Sequence, residues 1–267
     1  MERFDSDREA VVARARRAGI IRMLVPALDL PSARRVLELA KLHPDILAAV
    51  GVHPTEAREL SAAEAEDLRS LAAQEKVAAI GEIGLDYFWV REESRRIEQQ
   101  LLLRTQLEVA QGVAKPVVLH MREEGDASSG PCAAAMLRIL RDWCEALRAS
   151  GSPLASRPGV LHSYAGDMEM AAAAIDLGFY VGVGGPVTYP RSDARRDVVK
   201  QLPLEQLLIE TDSPFQAPQL HRGQRNEPAY VVDIADRIAQ IQSRRPEEVA
   251  ETTTRSAARL FAWGEPV

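Results

Sequence analysis

Val77-Ala78-Ala79-Ile80-Gly81-Glu82 is a short apolar run closed by one carboxylate. Its length and composition are those of a strand buried on both faces, as in a parallel sheet. A Glu at the end of such a run costs free energy unless a cation or hydrogen-bond donors answer it. Four other segments have the same form: Ala48-Ala49-Val50-Gly51-Val52-His53, Pro116-Val117-Val118-Leu119-His120, Gly159-Val160-Leu161-His162 and Leu207-Leu208-Ile209-Glu210-Thr211-Asp212. In parallel α/β folds the strand C-termini open on one face, where ligands bind. The five closing residues would meet there, and imidazole with carboxylate is a donor set for a divalent metal.

Outward from these segments, helical and strand-like periods alternate along the whole chain. Strands are expected at 20–27, 46–52, 77–81, 116–119, 159–161, 179–183 and 207–211. Ser6-Asp7-Arg8-Glu9 and Ser61-Ala62-Ala63-Glu64 have capping-box spacing, and Pro31 suits a first helical residue. A helix of about twenty residues should start at Glu93 and stop at Gly112. Others are expected through Met136 and Leu140, from Asp167 to a stop at Gly178, and over the tail 230–262. The stretch 132–158 is longer than a βα unit needs, and Trp143 with Ser150-Gly151-Ser152-Pro153 suggests a helix with a loop protruding at the rim. With no composition break or linker, residues 1–267 form a single domain. Closing residues drawn from strands across the chain favour a (β/α)₈ TIM barrel over a doubly wound sheet, which gathers its site at one switch point. Only seven strands can be counted, so the barrel lacks its first.

Bulk properties narrow the function. A net charge of −6 argues against binding nucleic acid by bulk electrostatics, although bound metal would supply local positive charge to a phosphodiesterase. No secretory signal and no apolar run of membrane-spanning length is present. The two cysteines, Cys132 and Cys144, share one helical stretch with poor geometry for a bridge. A reducing cytoplasm is the expected compartment.

Taken singly, Glu82 could merely bond backbone amides, and His120 or His162 could be a satisfied core histidine. His53 could be a metal ligand, a substrate contact or a loop histidine. Glu210 lies two residues before Asp212, points to the same side, and reads as support for the site. His43 reads as a surface residue; for His221, surface exposure and substrate contact are equally compatible with its context. Arg191, Arg195, Arg196 and Lys200 form a local basic run, better explained as a solvated helix face than as a guide for a nucleic-acid strand.

Together, Gly51-Val52-His53-Pro54, Gly81-Glu82-Ile83-Gly84-Leu85-Asp86-Tyr87, His120 with Arg122, His162-Ser163-Tyr164-Ala165-Gly166, Glu210-Thr211-Asp212-Ser213-Pro214 and Arg222-Gly223 through Asn226-Glu227-Pro228 resemble the TatD-related deoxyribonucleases. The resemblance runs from about Phe4 to Phe261, with the motifs in family order. It implies a metal-dependent hydrolase on a TIM barrel, most simply a deoxyribonuclease that cleaves phosphodiesters through a metal-activated water. Glu82, His120 and His162 would then coordinate one divalent ion (Mg, Mn or Zn), with Glu82 able to bridge to a second. Asp212 would coordinate and act as general base, and His53 would contact metal-bound solvent or the scissile phosphate. Arg222, Arg225 and Gly182-Val183-Gly184-Gly185 would lie where barrels often bind phosphate. The partner implied is nucleic acid, DNA first; no membrane is involved, and a monomer is expected. The alternatives are an ester or amide hydrolase on the same barrel, such as an aminoacyl-tRNA deacylase-like enzyme, and a non-catalytic barrel. Retention of Glu82, His120, His162 and Asp212 argues against the last.

One departure from the family pattern is plain. Most members open with a strand bearing a His-x-His pair, and here no histidine precedes His43. A start at an internal methionine, a short chain with an open seam and a degenerate member all account for it. The first is favoured, because an open seam exposes backbone edges and core. It predicts in-frame coding sequence upstream of Met1 for an apolar strand; the short form would instead keep one metal at Glu82, His120 and His162 and weaken a second.

Overall fold

The computed structural model describes residues 2–264. Each apolar run forms a strand: β1 (Met23–Pro26), β2 (Ile46–Val50), β3 (Val77–Asp86), β4 (Val117–Arg122), β5 (Gly159–Leu161), β6 (Tyr180–Val183) and β7 (Leu207–Ile209). All neighbours pair in parallel, and the spatial order follows the sequence from β1 to β7. The sheet curls into an incomplete α/β barrel of TIM type; among the described residues β1 and β7 are its unpaired edges.

Side chains alternate faces along a strand. Ala49, Ala79, Val118, Val160, Tyr180 and Leu208, one from each of β2 to β7, pack together as an interior layer. Moving two residues toward the C-terminal face from Val118, Val160 and Leu208 reaches His120, His162 and Glu210. Period-two spacing therefore places the polar residues directly above the apolar layer. From Ala79 the same step would reach Gly81, not Glu82, and a bulge makes the difference. Ile80 pairs with Val117 and Ile83 with Leu119, so Gly81 and Glu82 together oppose Val118 alone. The extra residue re-aims the strand, a common device beside active sites. Gly81 is required there, since a Cβ would sit 2.7 Å from Val118 Cβ. β3 consequently continues past the expected stop at Gly81 and carries Asp86 to its end.

The helices are α1 (Arg8–Arg17), α2 (Leu30–Leu42), α3 (Ala62–Ala72), α4 (Glu93–Val113), α5 (Pro131–Ala149), α6 (Met168–Asp176), α7 (Asp193–Gln201), α8 (Val231–Gln242) and α9 (Pro246–Phe261). The Ser61 box forms as expected, with Glu64 N donating to Ser61 Oγ and Ser61 N donating to Glu64 Oε2. The Ser6 box does not. Asp7 is the N-cap of α1, and its carboxylate is taken by Arg225 and Arg14 instead of by the helix amides. Gly112 lies inside α4, which ends at Ala114 in a left-handed conformation. Pro31 is the second residue of α2, behind the Asp29 cap.

Residues 132–158 form no protruding rim loop. α5 accounts for most of them, Trp143 is buried, and the following 3₁₀ turn buries Leu154. The tail is two helices rather than one, divided where Ser243 turns left-handed ahead of Pro246. Leu260 and Phe261 of α9 pack into the interior layer beside Leu24 and Trp263. His43 is buried, against the expectation of a surface position: Arg16 of α1 lies 3.3 Å from its Nδ1 and Glu9 3.3 Å from its Nε2. Cys132 and Cys144 are both buried and unbridged. No described helix is long and apolar enough to cross a membrane.

Candidate metal centre

At the C-terminal face one oxygen is the focus. Glu82 Oε1 lies 2.8 Å from His120 Nδ1, 2.7 Å from His162 Nε2 and 3.3 Å from His53 Nε2. His53, Glu82 and His120 each offer one ligand atom, all within 4.8 Å of one another. The His53 and His120 rings meet edge-on with centroids 4.5 Å apart. Four of the five strand endings are thereby gathered around one point.

Glu82 is only 7% exposed, yet it is ionised. Burial pushes its carboxyl upward, but the positive charge of His162 and hydrogen bonds from His120, His162 and His53 hold it well below the usual range. The histidines answer in kind. Burial pulls His162 down, and Glu82 with Glu210 outweighs it, holding the imidazole well above its ordinary value. His120 is likewise raised: Asp86 and Glu82 overcome its burial.

Each ring has its second nitrogen engaged. His120 Nε2 lies 3.0 Å from Asp86 Oδ2, so Asp86 orients the ring and leaves Nδ1 facing Glu82. His162 Nδ1 lies 3.4 Å from Glu210 Oε1, which also accepts from Ser163 N at 2.5 Å. His53 Nδ1 accepts from Thr55 N at 3.2 Å and lies 2.7 Å from Thr55 Oγ1.

Asp86 is the residue that sequence reasoning missed. It stands in a quoted motif, but its role depends on the β3 bulge and on β4 beside it. Its four-residue offset from Glu82 on the same strand was the available signal. Asp86→Asn keeps the shape and removes the charge that fixes the His120 tautomer. We expect metal affinity to fall about 10- to 100-fold, the usual cost of losing such an outer partner, measured by calorimetric metal titration; unchanged affinity would assign Asp86 to folding alone.

Asp212 lines the same cavity and is not among the groups that meet Glu82 Oε1. Its Oδ2 accepts from Gln216 Nε2 at 2.5 Å. Burial raises the carboxyl; His162 offsets this in part, Glu210 and Glu82 add to it, and the result is about 6. Ser163, Asp212 and Gln216 all have left-handed backbones, at φ 46°, 55° and 53°. Non-glycine residues held that way around one site are a sign of imposed geometry. Asn226 helps impose it: fully buried, it donates from Nδ2 to the carbonyls of Thr211 at 2.5 Å and Phe215 at 2.6 Å.

Of the groups expected near phosphate, Arg225 and Gly182 have partners within the fold, and Arg222 is exposed. Arg225 is held by Asp7 at 2.7 and 2.8 Å and by Glu227 at 3.0 Å, and Arg222 lies over the Tyr189 ring at 4.3 Å. Gly182 is glycine for packing, because a Cβ would come within 2.7 Å of Glu210 Oε2. In the basic run, Arg196 donates to the carbonyls of Val187, Tyr189 and Pro190, and Arg195 to that of Tyr164. Arg191 and Arg195 line the cavity, while Lys200 is exposed. His221 stacks on Tyr230 at 3.6 Å and pairs with Asp233 at 3.1 Å. The site opens into a cavity of about 2030 Å³ that continues into the seam beside β1, with Leu24 and Thr253 on its walls.

A parallel α/β barrel with a His–carboxylate cluster at its C-terminal face is the architecture of a metal-dependent hydrolase. Comparison with known proteins agrees. The family model for TatD related DNase matches residues 1–262. An uncharacterized metal-dependent hydrolase, YabD of Bacillus subtilis, is 36% identical over 260 residues, covering 97% of this chain and 94% of that protein. The 3'-5' ssDNA/RNA exonuclease TatD of Salmonella typhimurium is 33% identical over 264 residues, covering 97% and 94%. The crystal structure of the Escherichia coli TatD homologue YjjV superposes with a TM-score of 0.84 at 32% identity, covering 98% of this chain and 94% of that one. The chain belongs to the TatD family of metal-dependent hydrolases.

Proposed function

We propose that the protein is a metal-dependent nuclease that hydrolyses phosphodiester bonds in DNA, with Glu82, His120 and His162 holding a divalent ion and Asp212 as general base. The observation that carries the reading is the convergence of three imidazoles on Glu82 Oε1, with the half-buried Asp212 carboxylate on the wall of the same cavity. The donor set fits a metal: nitrogen and oxygen ligands, each imidazole oriented through its other nitrogen. A divalent ion there would supply Lewis acidity and positive charge that the −6 chain lacks.

The chain's own groups then divide the work. His120 would offer Nδ1 and His162 Nε2 to a bound ion, since Asp86 and Glu210 take the opposite nitrogens. His53 accepts from Thr55 N at Nδ1, which leaves the proton on Nε2 as a donor to a phosphate oxygen. Asp212, raised to about 6 in the metal-free chain, is close to the range in which a general base is effective near neutral pH. The Salmonella relative's exonuclease activity supports a nucleic-acid substrate. Two buried, unbridged thiols suit a protein acting in the reducing cytoplasm.

The test is a panel of labelled single-stranded DNA, RNA and an aminoacyl ester, each supplied with Mg, Mn or Zn. Metal-dependent shortening of the DNA, stopped by chelator, is the expected result. Hydrolysis of the ester alone would overturn it.

A further inference from the structure

We propose that Trp89 is a base-stacking platform at the mouth of this site, and that its ligand is the end of a single-stranded nucleic acid. The proposal rests on the nuclease reading and adds the subsite that holds the strand.

Trp89 is 67% exposed, whereas Trp143 is 7% exposed in the core. Single exposed apolar side chains are ordinary, and what distinguishes Trp89 is where its ring stands. It lines the same cavity as Glu82, His120, His162 and Asp212. Its position is tied to the site by one buried carboxylate. Trp89 N donates to Asp86 Oδ1 at 2.8 Å, and the other oxygen of Asp86 holds His120 Nε2 at 3.0 Å. Platform and metal-site imidazole therefore share a single anchor.

The surroundings suit a nucleotide. The indole stands edge-on to Phe88, with centroids 4.9 Å apart and planes at 85°. The Arg122 guanidinium lies over the Phe88 ring at 3.7 Å and 5.7 Å from the Trp89 centroid. Arg122 is itself paired with Asp126 at 2.8 Å, so the ring face rather than the charge carries the affinity. A second aromatic, Phe215, is 53% exposed on the loop that bears Asp212 and lines the same cavity. Arg3 lies over it at 5.1 Å. Aromatics from the β3 and β7 loops thus border the cavity that holds the reacting groups.

Every base has a π face, so stacking holds a strand without reading its sequence. A duplex keeps its bases stacked on one another and offers none to the indole. The fitting ligand is a single strand or a frayed end.

The probes are fluorescein-labelled oligothymidylate and the same strand with abasic terminal positions, assayed by cleavage kinetics and by tryptophan quenching. Trp89→Ala should raise KM roughly tenfold, within the range of about 5- to 150-fold that stacking allows, with kcat nearly unchanged. Trp89→Phe should restore KM, while Trp89→Leu, which keeps apolar bulk without a π face, should not. Wild type and Trp89→Ala should bind the abasic strand alike, and oligothymidylate should quench wild-type fluorescence but not that of Trp89→Phe. If wild type cleaves the strand and Trp89→Ala or Trp89→Leu matches its KM, the platform is overturned and the nuclease reading stands. If wild type neither binds nor cleaves any single strand, both are overturned.

Discussion

Glu82→Gln is expected to lower turnover by about three orders of magnitude and to release metal at micromolar supply. The glutamine has the size of the native side chain but no charge, while its amide still faces three imidazoles that meet Glu82 Oε1 in the native site. Stripped of metal, the variant should also lose a characteristic pH dependence of stability. The Glu82 carboxyl lies well below its ordinary 4.5, because attraction to His162 and three imidazole hydrogen bonds outweigh burial. Its contribution is present above pH 4.5 and is lost as pH falls through the folded value. The His162 imidazole lies well above its ordinary 6.5, with Glu82 and Glu210 outweighing burial. Its contribution is complete below pH 6.5 and is lost as pH rises through the folded value. The metal-free wild type should therefore gain most from this pair between about pH 4.5 and 6.5. Thermal melts in chelator across pH would show a broad maximum there, flattened in Glu82→Gln. Identical profiles would mean that the cluster does not carry the charges described.

Asp212→Asn should reduce kcat about 10²- to 10⁴-fold, the usual worth of a positioned base, while metal content stays near that of wild type. The separation follows from placement. Asp212 is held by Gln216 on a loop clamped by Asn226 and is not among the groups that meet Glu82 Oε1. Wild-type kcat/KM should rise with pH along a limb set by this carboxyl. Burial chiefly raises it, to about 6 in the metal-free chain, and a bound cation would draw it lower. The limb should be absent from Asp212→Asn. Complete loss of metal from the variant would make Asp212 a ligand first and a base second.

Much of this site is legible without coordinates. The step of two from Val118 to His120, from Val160 to His162 and from Leu208 to Glu210 is written in the strands, and alternation puts each pair on one face. Glu82 obeys that rule only because a bulge at Gly81 adds one residue, and nothing in an apolar run marks where a bulge falls. Asp86 was invisible as a partner because its contact is with His120, 34 residues away on another strand. The Ser6 box failed for a related reason: Asp7 lies 218 residues from Arg225 and prefers that guanidinium to its own helix amides. The stretch 132–158 needs no protruding loop, since α5 takes up its extra length as helix.

By itself, then, the sequence determines the alternation of strands and helices, the inward direction of His120, His162 and Glu210, and the class of chemistry. These depend on hydrophobic period and residue type, which near neighbours in the chain specify. The tertiary structure decides which partner each polar group meets: that Asp86 meets His120, that Arg225 braces α1 through Asp7, and that His43 lies under α1. Those outcomes are competitions between partners distant in sequence, and only register, bulge and packing bring the competitors within reach.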